Sequence, residues 1–125
     1  MFTHAFLGTN DIDGSRAFYT AALGALGRNA VPLPHGTLFP GEHGSLIVAK
    51  PANGEAHTVS NGHTLGFKAA DYAAVDAFHA AGLANGGTCE GAPGVRANSP
   101  GAQYGAYLRD PDGNKICAFA PNAEG

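Results

Sequence analysis

The stretch Gly62-His63-Thr64-Leu65-Gly66-Phe67-Lys68-Ala69-Ala70-Asp71 decides the fold, because it repeats the opening His4-Ala5-Phe6-Leu7-Gly8-Thr9-Asn10-Asp11. His63 follows His4 by 59 residues, and Asp71 and Phe78 follow Asp11 and Phe18 by 60. Residues 2–8 alternate as a half-buried strand does, with Phe2, His4 and Phe6 on one face and Thr3, Ala5 and Leu7 on the other. Residues 62–69 do the same, with His63, Leu65 and Phe67 together. Each strand leads to an aspartate suited to cap a helix: Asp11 or Asp13 in the first half, Asp71 or Asp76 in the second. Ala17, Phe18, Ala21, Ala22 and Leu26 form the first helical stripe, which ends at Gly24 and Gly27. Val75, Phe78, His79 and Leu83 form the second, which ends at Gly86 and Gly87.

Three extended pieces follow each helix. They span residues 29–34, 36–40 and 45–50 in the first half, and 88–90, 103–109 and 115–120 in the second. Each half therefore reads βαβββ, and the chain reads as an internal duplication with modules of about 1–56 and 57–125. The fold class is α+β: one domain over 1–125 with an eight-stranded curved sheet and one helix outside each module. Asp110-Pro111-Asp112-Gly113 is a hairpin turn rather than a catalytic carboxylate pair.

Composition agrees with short strands and tight turns. There are 19 Gly and 8 Pro in 125 residues, and 14% of residues are charged against roughly 25% in an ordinary soluble domain. At 44% hydrophobic, the chain has enough apolar residues to build a core. Its seven Lys and Arg are scattered and its formal charge is −3, so nucleic acid is excluded as a partner. No apolar run approaches the roughly 18 residues of a membrane span. Cys89 and Cys117 do not make a disulfide framework, and a cytoplasmic location with reduced thiols is expected. His35, His43 and His57 fall in loops.

His4-Ala5-Phe6-Leu7, Asp11, Arg16-Ala17-Phe18-Tyr19 and Leu23-Gly24 resemble the opening of the vicinal-oxygen-chelate superfamily, which includes glyoxalase I, bleomycin-resistance proteins and extradiol dioxygenases. The second half agrees through residues 62–67, Asp71, and Tyr107-Leu108-Arg109-Asp110-Pro111-Asp112-Gly113-Asn114-Lys115-Ile116. The resemblance covers essentially the whole chain. It implies a homodimer and a cleft for a small molecule. Its glyoxalase-like members hold a divalent metal (Zn, Ni, Mn or Fe) through His or Gln, Glu, His and Glu on the first and last strands of each module. Carried over, the resemblance implies His4, His63 and Cys117 as metal positions, with Cys117 standing four residues after Gly113 where the last Glu is expected. Residues 45–50 offer no carboxylate, His or Cys for the remaining place.

Phe67, Tyr104 and Tyr107 are candidates to line the substrate pocket. Arg96, in the Gly/Pro-rich stretch 91–101, is a candidate lid residue carrying a guanidinium to an anionic ligand. Two readings stay open. One is a glyoxalase-like enzyme acting on a small polar metabolite or xenobiotic through a metal on His4 and His63. The other is a metal-free, drug-sequestering binding protein of the bleomycin-resistance kind.

Overall fold

The computed structural model describes residues 1–123. Strand β1 (His4–Gly8) leads into helix α1 (Ile12–Gly24), followed by β2 (Val31–Leu33), β3 (Gly36–Phe39) and β4 (Ser45–Ala49). The second module repeats the order with β5 (Leu65–Lys68), α2 (Tyr72–Ala84), β6 (Thr88–Val95), β7 (Tyr104–Arg109) and β8 (Lys115–Ala120). A 3-10 turn at Pro100–Ala102 precedes β7. No helix among the described residues is long and apolar enough to cross a membrane.

Both helices start where a capping aspartate is available. The Asp11 carboxylate accepts from the Gly14 amide at 3.0 Å and the Asp71 carboxylate from the Ala74 amide at 2.9 Å, each satisfying a donor that the helix cannot pair internally. The eight strands divide into two four-stranded sheets, ordered β1-β4-β3-β2 and β5-β8-β7-β6. In each, the first strand runs parallel to the last and the remaining pairs are antiparallel. The expected eight-stranded surface is therefore two sheets with no ladder between β1 and β5.

Strand β6 is longer than the sequence suggests. Antiparallel pairing with β7 carries it through Gly91–Val95, with register shifts after Cys89 and after Gly91. Half of the expected lid loop is thus sheet, bulged at its glycines.

The modules share one core. Phe18 and Tyr19 of α1, Phe78 of α2, and Leu7, Val48, Leu108, Ile116 and Ala118 of the sheets belong to a single buried cluster. Helix α1 packs against α2. A Cβ at Gly82 or Gly87 would collide with atoms that include Cε1 of Phe18.

The turn after β7 reaches back into the first module. Asp110 accepts from the Tyr19 hydroxyl at 2.6 Å, the Asn114 side-chain amide at 2.9 Å, and the backbone amides of Asp112 and Asn114 at 2.9 Å each. Asp112 accepts from the Thr9 hydroxyl at 2.6 Å and the Asn10 amide at 2.8 Å. Asn114 donates to the Gly8 carbonyl at 3.1 Å and lies 2.9 Å from Nε2 of the half-buried His57. The turn reading of these aspartates holds, and the same carboxylates also fasten the second module to the first.

Candidate functional site

Strand alternation gives each sheet one face on the core and one facing away from it. In the first sheet Ala5, Leu7, Leu46, Val48 and Phe39 turn inward. His4, Phe6, Ile47 and Leu38 occupy the opposite, outer face. In the second sheet Leu65, Phe67, Ala106, Leu108, Ile116 and Ala118 turn inward. The outer face carries Gly66, Lys115, Cys117, Phe119, Tyr107 and Arg109.

The two halves superpose by register at an offset of 60 in their first strands. Ala5, Leu7 and Thr9 correspond to Leu65, Phe67 and Ala69, and the caps Asp11 and Asp71 keep the same spacing. The partner of His4 is then Thr64 rather than His63. A slip of one residue moves a side chain to the other face of a strand. In the last strands the offset is 70: Ile47 pairs with Phe6 and Leu38 as Cys117 pairs with Gly66 and Tyr107.

The metal positions implied by the resemblance therefore fall on His4, Ile47, Thr64 and Cys117. One imidazole, a hydrocarbon, a hydroxyl and a thiol are a poor set for a hard divalent ion. Cys117 is 5% exposed. Burial pushes its thiol up to about 11, against the small opposing effect of Lys115, so it stays protonated and is not a ready thiolate ligand. Among the described residues no group of three His, Cys, Asp or Glu is placed to hold a metal ion. His4 and His63 line separate cavities. That of about 430 Å³ holds His4, Phe2, Arg28, Ser45 and residues 64–67, Phe67 included. That of about 370 Å³ holds His63, Thr64, Val59, Arg109 and Lys115.

The proposed pocket residues separate in the same way. Tyr104 lies on the core side, stacked on Tyr72 with ring centroids 3.9 Å apart, and its hydroxyl donates to Asp76 at 2.5 Å. Tyr107 lies on the outer face, edge-on to Phe119 at 5.6 Å. The Arg96 guanidinium sits 5.6 Å from the Tyr107 ring centroid and donates to the carbonyls of Ala92 at 2.6 Å and Gly94 at 3.1 Å. Arg96 is thus folded onto the sheet rather than carried on a free lid. The Lys115 ammonium lies 5.0 Å from the same ring centroid.

Sequence reasoning passed over Lys115 and Arg109 as site residues. The signal was present, since Lys115 alternates with Cys117 and Phe119 on one strand. It also passed over Phe6, which is 50% exposed at the middle of β1. Cys89 is exposed, and its Sγ lies 3.2 Å from Nε2 of His79.

A family model described as the glyoxalase/bleomycin resistance protein/dioxygenase superfamily matches residues 2–118. A crystal structure of a glyoxalase/bleomycin resistance protein from Albidiferax ferrireducens T118 is 47% identical, with a TM-score of 0.89 over 98% of this chain and 99% of that one. A glyoxalase-related enzyme from Fulvimarina pelagi is 20% identical, with a TM-score of 0.77 over 100% and 94%. A lactoylglutathione lyase from Agrobacterium tumefaciens is 23% identical, with a TM-score of 0.66 over 96% and 92%. At these lower identities the likeness is one of fold. No curated protein matches the chain.

Proposed function

Because the chain belongs to the glyoxalase/bleomycin resistance protein/dioxygenase superfamily, we propose that it is a metal-free small-molecule-binding member. Its ligand lies against the outer sheet faces, with Tyr107, Phe119 and Phe6 as apolar contacts and Arg96 as a fixed cation. The observation that carries this reading is the donor set. A chelated enzyme centre of the glyoxalase type needs carboxylates on β4 and β8, where this chain has Ile47 and the buried, protonated Cys117. Such a donor set does not suit a metal-assisted reaction.

The same reading makes the working unit a homodimer. Phe2 and Phe6 stand exposed near β1, and β1 and β5 each end a sheet without a partner strand in the described ladders. A second copy brings the outer face of one module against that of the other and encloses the ligand.

Metal analysis of freshly purified protein, with and without His4→Ala and His63→Ala, tests the reading. The expected outcome is substoichiometric metal and no change in thermal stability on adding Zn, Ni, Mn or Fe(II). Stoichiometric metal lost on either substitution overturns it. A thermal-shift screen of small metabolites and drugs is expected to return ligands that raise the unfolding temperature in proportion to log concentration above Kd.

A further inference from the structure

We infer that the outer face of the second sheet is an oxyanion-binding subsite, so that the ligand carries a carboxylate or phosphate group. This rests on the binding reading above and narrows it to a substrate class. The chain is acidic overall, with 10 Asp and Glu against 7 Lys and Arg. Yet three of those seven cations, Arg96, Arg109 and Lys115, converge around Tyr107 or the cavity beside it. His63 adds a further nitrogen donor to that cavity. Among the described residues, no carboxylate lines the cavity.

The one compensating anion is Glu90, which accepts from Nε of Arg109 at 2.6 Å. Lys115 makes no direct ion pair with a carboxylate among the described residues, although Glu90 feels its charge, and its ammonium lies 5.0 Å from the Tyr107 ring centroid. A ring face holds a cation in place without neutralising it. Arg96 is pinned by two backbone carbonyls at the bulged β6, where a Cβ on Gly91 or Gly94 would press on its guanidinium. A guanidinium has five N–H donors, so these contacts leave some of them for a ligand. Arg109 and Lys115 line a cavity of about 370 Å³, and Arg96 lies against the same Tyr107 ring as Lys115, a set of cations suited to a small anion and repelling a cationic ligand.

Calorimetric titration with three matched probes, benzoate, benzyl alcohol and benzamidine, together with inorganic phosphate, tests the inference. Benzoate is expected to bind saturably and more weakly as salt is added, while the neutral and cationic probes do not bind. Competition by phosphate assigns the subsite to oxyanions generally; lack of competition assigns it to carboxylates. Lys115→Gln is expected to weaken benzoate by about tenfold or more, the scale of a lost hydrogen bond to a charged group. Lys115→Arg is expected to stay within about threefold, because the charge is kept. Lys50→Gln, outside the cavity, leaves binding unchanged, and the circular dichroism spectrum of each variant controls for folding. Binding of benzamidine or benzyl alcohol in preference to benzoate overturns the inference while the small-molecule reading survives. Benzoate affinity unchanged in Lys115→Gln, or no benzoate binding at all, overturns it too, and the thermal-shift screen then decides the small-molecule reading separately.

Discussion

Asp110 concentrates more of the fold's polar bonding than any catalytic proposal assigns to it. A buried carboxylate is tolerable only when donors replace its hydration, and here four do so. Tyr19 supplies one of them from 91 residues away. Tyr19→Phe is expected to destabilise the protein by about 1–3 kcal/mol in urea unfolding, because it removes one donor from a buried acceptor. Burial, and then Asp110, hold the Tyr19 hydroxyl well above its ordinary 10.0. Its contribution is therefore intact below pH 10 and is lost as the pH rises further, when the unfolded chain ionises first. The alkaline limb of the stability profile should flatten in the phenylalanine variant. The turn itself was legible from Asp110-Pro111-Asp112-Gly113. Its bonds to Thr9, Asn10 and Tyr19 were not, because no local pattern encodes contacts about a hundred residues apart. His63 illustrates a different limit. Alternation was visible, but the strand begins only at Leu65, where pairing with the distant β8 starts, so His63 falls in the segment before it.

The helices could be read from sequence because each carries its own start signal and a Phe at the same place in its stripe. Strand β6 could not, since glycines and a proline weaken every local strand preference and only β7 draws the segment into the sheet. The glycines just after α2 and within it have a packing reason. A Cβ at Gly87 would meet Phe18 and the backbone oxygens of Gly82 and Arg109, which cannot swing aside. Gly87→Ala is therefore expected to cost about 1–3 kcal/mol by overpacking, read as a lower denaturation midpoint with the slope unchanged. In the first strand Gly8 gives way to His57 in the same manner.

Across the whole molecule, both helices and the inner faces of the two sheets share one core, and the opposite sheet faces lie away from it. The duplication predicted two matching βαβββ modules, while composition alone gave only short strands and turns. What composition concealed is the uneven charge: a chain of net charge −3 gathers cations on one sheet. Phe6, exposed on the other sheet, is the natural probe of the proposed pairing between copies. Phe6→Glu is expected to shift the protein from dimer to monomer in sedimentation velocity at micromolar concentration, with the far-ultraviolet spectrum retained. A wild-type monomer at the same concentration contradicts the dimer.

The bonds from the second module's last turn to Gly8, Thr9, Asn10 and Tyr19 also set a timetable for synthesis. The far end of the first strand and the root of its helix stay incomplete until residues 110–114 emerge. Domains generally fold as units during translation. The first module therefore lacks these partners until the turn at residues 110–114 has been made.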